Sequence, residues 1–389
     1  MTTEIFASNS PASESLLPRT RPKLHWERVA GMNLAVLERG PFRELHLTLV
    51  PKNAETIDGL VARLTDTLKR HEATVVRHLV FGSVAAHAQT LQAMHRLLGH
   101  VDWPVTWVEG ASCEGASIAG MQIHAVAGAG VQTLIHNRGL VGRHFDDGEA
   151  RHCVLGDLGP THASAPLKEQ ARETFENLEA ALALAGMTMK DVARTWLFLD
   201  DILSWYGPFN EVRNDFFARS ELRPGSFPAS TGVSGKNPKR AALVAGAWAV
   251  RPYHADAYMR VTPSPKQCPA PAYGKAFSRA VEIGSRHHRH LLISGTASIS
   301  SDGHTAHVGD ARKQIDLTME VVRAILESRG QTFADVTRAV AYFKSPADSP
   351  LFAGWCARNQ TEIPAVSACC DICRDDLLFE IELDALNCF

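Results

Sequence analysis

The chain repeats itself, and an internal repeat restricts the possible folds more than any local propensity does. The segment TFENLEAALALAGMTMKDVARTWLFL from Thr174 realigns without a gap on TMEVVRAILESRGQTFADVTRAVAYF, 144 residues on (174 to 318). Thr174, Glu176, Ala180, Leu182, Gly186, Thr188, Asp191, Val192 and Arg194 each meet an identical residue. Both copies read as an amphipathic helix stopped by glycine, then a turn, then a β-rich strand. Downstream the match resumes at a spacing of 136 (228 to 364), FPASTGVSGKNPKRAALVAGAWAV lying over IPAVSACCDICRDDLLFEIELDAL. The lost eight residues fall around SWYGPFNEVRNDFF, in a loop and second helix, where length changes are tolerated.

A fainter third copy precedes these two. AETIDGLVARLTDTLKRH reads as a helix, TVVRHLVFG as a strand and AAHAQTLQAMHRLL as a second helix. WPVTWVEGASCEGASIAGMQIHAV then lies over the Phe227 segment at a spacing of 124 (104 to 228). Trp103–Pro104, Phe227–Pro228 and Ile363–Pro364 mark the same point in all three. Each copy has the order β-hairpin, helix, strand, helix, two strands, an α+β unit with helices on one sheet face. The expected division is a flexible tail over 1–25 and units over 26–132, 133–260 and 261–389.

With 389 residues and a net charge of −2 without long runs of one sign, the chain suits a globular protein and not a nucleic-acid partner. The polar start, MTTEIFASNSPASESLLPRTRPK, has no apolar core of a signal peptide, and no run approaches the ~18 apolar residues of a membrane span. A cytoplasmic protein with reduced thiols is expected. Cys369, Cys370 and Cys373 cluster, and RHHRH (Arg286–His290) and HTAH (His304–His307) are rich in histidine, but none has the paired spacing of a zinc site, so no metal is expected.

Differences between the copies locate candidate chemistry. In LLFEIELDA (Leu377–Ala385) the alternation puts Glu380 and Glu382 on one face and Phe379, Ile381 and Leu383 on the other. The counterparts of Glu380 are Val244 and Gly120; those of Glu382 are Gly246 and Gln122. Either this face is an ordinary wet surface, or Glu380 is held in a cleft present in one copy only. Gly- and Ser-rich PASTGVSGKNP (Pro228–Pro238) reads as a loop able to capture a carboxylate through Ser230, Thr231 and Lys236, or as plain loop chemistry. It lacks the lysine-serine pair and following helix of a phosphate loop.

The order of elements resembles the RidA/YjgF family of small trimeric proteins, whose clefts lie between subunits. LLISGTASIS (Leu291–Ser300) is similar to its strand ending in Ser-Gly, FPAS and IPAV stand at its Phe-Pro-Ala-Arg, and FEIELDA resembles its closing strand. Three copies in one chain imply tandem YjgF-like (chorismate-mutase-like) units closed into a single-chain pseudo-trimer. EARHCVLGDLGP, WYGPFN, FPASTGVSGKNP, YGKAFSRAV and the terminal Glu-Ile-Glu together resemble chorismatases of the FkbO type.

That resemblance implies cleavage of chorismate to pyruvate and either a dihydroxycyclohexadiene carboxylate or a 3- or 4-hydroxybenzoate, with no cofactor. Glu380 is then the acid that protonates the enolpyruvyl methylene, and an apolar cleft would keep it protonated at neutral pH. Cys373, before its strand, contacts the ring, relays a proton, or is an inert buried thiol. The family's substrate arginine is replaced by Ser230 and Val366, so other cations must hold the two carboxylates. Arg279 is the first choice, with Phe277 at the family's tyrosine, and Arg213 the second; the bland alternatives are a surface strand residue and a solvated helix charge. Asn210 matches an asparagine that reaches across the subunit boundary, Gly295 belongs to the Ser-Gly strand, and Ala276 would keep one end of the cleft open. A monomer, with weak association through outer surfaces, is the expected state. The alternatives are a RidA-like imine or enamine deaminase, disfavoured by the missing arginine, and a non-catalytic metabolite-binding protein.

Overall fold

The computed structural model describes residues 21–220, 222 and 226–389. Residues 1–20, most of the expected tail, lie outside the described residues, and a strand already begins at Lys23. The first unit contains β1 (Lys23–Val29), β2 (Met32–Arg39), β3 (Phe42–Leu49), α1 (Ile57–Arg70), β4 (Thr74–Gly82), α2 (His87–Leu98), β5 (Val105–Val108), β6 (Ala111–Ser112) and β7 (Ile118–Ala127). The second contains β8 (Val131–His136), β9 (Gly139–Asp146), β10 (Ala150–Leu158), α3 (Leu167–Leu184), β11 (Val192–Leu199), α4 (Ile202–Arg219), β12 (Ala229–Ser234) and β13 (Leu243–Pro252). The third contains β14 (Tyr258–Thr262), β15 (Ala280–Gly284), β16 (His288–Ala297), α5 (Ala311–Glu327), β17 (Val336–Phe343), α6 (Ser349–Arg358), β18 (Ala365–Cys369) and β19 (Phe379–Cys388).

The three sheets share one topology: β1-β2-β3-β7-β4-β5, its counterpart β8-β9-β10-β13-β11-β12, and β14-β15-β16-β19-β17-β18, to whose edge the first unit adds β6. Each opens with a three-strand meander where the repeat predicts a hairpin. The repeat's punctuation has a physical basis. Gly186 and Gly330 both take φ +66°, and the next amide reaches back to Leu182 or Leu326, closing α3 and α5 with the same left-handed cap. Thr188 with Asp191, and Thr332 with Asp335, form identical capping boxes before β11 and β17.

The helices of each unit pack on the outer face of its own sheet, while the inner faces meet in a common core. Phe81, Phe198 and Tyr342 hold matching strand positions there, with ring centroids 6.1 and 5.9 Å from Phe81. No helix among the described residues is long and apolar enough to cross a membrane.

One helix breaks the symmetry. α4 has 18 residues against 10 in α6, so the extra length of the second copy lies in this helix. Pro208, which cannot donate to the preceding turn, and Trp205 at φ −142° kink it and carry Tyr206 inward.

Candidate active site

Strand β19 answers the question its alternation raises. Phe379, Ile381 and Leu383 enter the helix-side core, and Glu380 and Glu382 point inward, where both are buried. Glu382 accepts from Arg194 at 2.6 Å, from Trp196 Nε1 at 3.2 Å and from Arg338. Burial alone would raise its pKa, but Arg338 and Arg194 outweigh that and hold it down at about 2. Glu380 has no such partner. Burial, reinforced by the charge of Glu382 and only partly offset by Arg194 and Arg279, pushes it up to about 8. At neutral pH it is therefore a protonated acid.

Glu380 faces a cavity of about 60 Å³ at the seam of the second and third units. A larger cavity, about 600 Å³, lies between the first and third units beside Lys52, Glu55 and Ser367. Its Glu55 carboxylate is held down, against burial, by Arg63, so it stays charged; its Cys113 thiol is raised to about 11 by burial, and Lys52 is the one cation among its described lining residues. The chemistry singles out the smaller one.

Three segments line this cavity with alternate residues, as extended chains must. Lys275, Phe277 and Arg279 enter from the run before β15, Gly295, Ala297 and Ile299 from β16 and its end, and Ser230 and Gly232 from β12. Tyr206 and Arg213 come from α4, and Cys373 and Arg374 from the turn before β19. Gly295 has a steric role, since a Cβ there would overlap Glu380 Oε1. Its amide donates to Thr231 Oγ1 at 3.1 Å.

Among the described residues that line it, Glu380 is the only carboxylate, against Arg213, Lys275, Arg279 and Arg374. Arg279 is buried, and its Nε and Nη2 donate to Cys268 O at 3.2 and 3.1 Å, with its plane over the Tyr273 and Phe277 rings. Arg213 Nη2 donates to Asn210 Oδ1 at 2.7 Å. Lys275 lies over the Tyr206 ring at 4.9 Å; burial, then the nearby Arg213, lowers its pKa. Arg374 Nη1 donates to Gly303 O at 2.9 Å. Burial, aided by Glu380, pushes the Cys373 thiol up to about 12, so it is a neutral thiol beside the acid.

Several expected residues stand elsewhere. Ala276 alternates away from Phe277 into the second unit's core and does not line the cavity. Asn210 stays within its own helix, donating to Tyr206 O at 2.6 Å and accepting from Arg213. The expected loop at Pro228–Pro238 is a strand over Ala229–Ser234, paired in parallel with β11. On its other edge the Ser230 amide donates to Ser294 Oγ and the Ser234 amide to Asp371 O, both at 2.9 Å, so neither is left for a carboxylate. Thr231 points away from the cavity and accepts from Arg194 and Gly295. Lys236 is exposed at the seam of the first and second units, where its carbonyl accepts from Glu109 N at 2.7 Å. Tyr206, Tyr273, Lys275 and Arg374 were not anticipated. Lys275 shares the alternation of Phe277 and Arg279, a signal that would have found it and set Ala276 aside.

The other two seams lack the acid. A Cβ at Gly120 would lie 2.7 Å from Val366 Cγ2, and Val244 is fully buried.

A family model described as Endoribonuclease L-PSP matches residues 156–244. The curated 3-hydroxybenzoate synthase of Streptomyces hygroscopicus is 28% identical, over 61% of this chain and 74% of its own length. A RutC family protein of Pyrococcus abyssi is 32% identical over 75 residues, 19% of this chain and 51% of its own. Among solved structures, a crystal structure of a chorismatase superposes with a TM-score of 0.64 at 18% identity, over 87% of this chain and 98% of that one, a likeness of fold.

Proposed function

We infer that this chain, which has the tandem YjgF-like architecture of the chorismatases within the RidA/YjgF superfamily, is itself a chorismatase that releases pyruvate. The observation that carries this reading is a protonated Glu380 facing a cavity walled by four cations and apolar side chains. Chorismate matches that wall, with two carboxylates for the cations and an enol ether whose methylene accepts a proton. The cavity is smaller than such a ligand, so half-buried rim side chains, Lys275, Phe277 and Arg374, swing outward to admit it.

Glu380 gives its proton to the enolpyruvyl methylene, leaving an oxocarbenium centre at the adjacent carbon and a carboxylate facing it. Two fates follow. Water adds to that carbon, and collapse of the hemiketal gives pyruvate and a dihydroxycyclohexadiene carboxylate. In the other, the ring C4 hydroxyl attacks C3 as pyruvate leaves and passes its proton to the Glu380 carboxylate. The C3–C4 epoxide then opens at C4 and loses the C3 proton, giving 3-hydroxybenzoate with no net water consumed. Cys373, Ala297, Ile299 and Leu377 offer water little to bind, which favours the aromatising branch. The relative named for 3-hydroxybenzoate supports that isomer.

Ser230, at the deaminase family's arginine position, hydrogen-bonds Thr195 and leaves anion binding to cations on other elements. Both walls of the cleft come from one chain, which supports a site that needs no second copy. Eight unpaired cysteines fit the reducing cytoplasm. Coupling the purified protein to lactate dehydrogenase tests the reaction: chorismate-dependent oxidation of NADH is expected, and its absence at high enzyme concentration contradicts the assignment.

A further inference from the structure

We propose that Glu44, His46 and His290, with His124 beside them, bind one divalent transition-metal ion of the zinc class where the first and third units meet. The ligand atoms of Glu44, His46 and His290 all lie within 4.8 Å of one another, and all three residues are buried. His46 and His124 face each other across β3 and β7, their rings stacked at 4.8 Å, and Glu44 shares the face of His46 two residues earlier. His290 arrives from β16 of the third unit, its Nε2 3.3 Å from Glu44 Oε2.

The repeat explains this meeting. Glu44 pairs with Val126, His152 with Val250 and His290 with Leu386, and the partners follow the repeat spacings, so the three hold matching positions where the sheets converge.

As the side chains stand, Glu44 does not satisfy the imidazoles around it. His124 Nε2 stands 2.8 Å and His46 Nε2 3.3 Å from Glu44 Oε1, yet none of these three atoms makes a properly directed hydrogen bond. Buried acceptors without donors are costly. A metal ion supplies one electron-pair acceptor for all of them, and imidazoles with a carboxylate are the donor set of zinc and its neighbours. Trp248 packs against both His124 and His290 and fixes their rings. A cavity of about 20 Å³ beside Glu44 and His290 has room for one water as a further ligand.

Gly295 lies five positions after His290 along β16, about 16 Å of strand, so the ion touches no group of the cleft. It serves as a clamp between the first and third units.

The test uses the full chain, stripped with a chelator and titrated with Zn²⁺ by calorimetry and with Co²⁺ by visible absorption. One equivalent should bind, with a Co²⁺ spectrum of imidazole ligation and a raised Tm, while pyruvate release is unchanged. His290→Gln and Glu44→Gln should each weaken binding about 100-fold. A His304→Gln/His307→Gln double variant in the exposed HTAH loop should bind as wild type. No saturable binding by the folded wild-type chain overturns the proposal, as does binding that survives His290→Gln or is lost in the loop variant. Should either variant fail to fold, His46→Gln and the wild-type Co²⁺ spectrum decide in its place.

Discussion

Glu380 and Glu382 leave the same face of β19 two residues apart, and their surroundings drive them in opposite directions. Glu382 lies between Arg194 and Arg338 and stays charged; Glu380 looks into the cleft and is held neutral, partly by the charge of its neighbour. The arginines that neutralise one carboxylate therefore hold in place the negative charge that keeps the other protonated. Two titratable groups with separated pKa values give an acid with a defined role.

The first prediction concerns pH. Turnover should hold steady below pH 7 and fall about tenfold per unit above pH 8, as Glu380 loses its proton. Stability follows the same group. Its folded pKa lies above the ordinary 4.5, so the folded state holds the extra proton between 4.5 and about 8. Stability contributed by that proton is complete below pH 4.5 and lost as pH rises through 8. Glu380→Gln should remove this slope and unfold less readily than wild type at pH 9, by at most about 5 kcal/mol. Denaturant melts across pH 5–9 check it; parallel slopes for both chains contradict it.

Gly295→Ala tests the close approach behind the acid. The added methyl overlaps Glu380 Oε1 and must turn the carboxyl. We expect kcat to fall about 100-fold with a folded chain of near wild-type Tm; wild-type kcat would show that the carboxyl has no fixed seat.

The two best-placed cations should act on binding. Lys275→Met and Arg279→Met should each raise KM about 10- to 100-fold, with a smaller change in kcat and a weaker dependence of KM on salt. Steady-state kinetics at two ionic strengths separates this from a general loss of fold.

Much of the fold was legible in the sequence because a repeat carries its elements with it, and the inward face of β19 could be read from Phe379, Ile381 and Leu383. The cleft was legible where residues lie on an alternating strand: Glu380, Gly295, Ser230, Phe277 and Arg279 stand in its wall with Cys373 and Arg213. Thr231 and Ala276 failed by one residue, since each sits between two wall residues and faces the opposite way. Tyr206 depends on the kink in α4, and Arg374 on an irregular turn, neither of which has a period to read.

Glu382 should prove structural. Glu382→Gln leaves Arg194 and Arg338 without their shared carboxylate at a fully buried site, at a cost of about 3–5 kcal/mol. The wild-type contribution is complete above pH 4.5 and lost as pH falls through about 2, so the deficit should be constant near pH 5–6 in denaturant melts. It should shrink toward pH 8, because Glu380 of the variant, without its charged neighbour, ionises at lower pH.

The most direct test of the central claim incubates wild type and Glu380→Gln with chorismate and follows the organic acids by mass spectrometry, with chorismate affinity measured separately. Wild type should yield pyruvate and hydroxybenzoate in equal amounts, and the variant should bind chorismate normally while turning it over about 1,000-fold more slowly or worse. Untouched chorismate with wild type, or an active Glu380→Gln, would contradict the account.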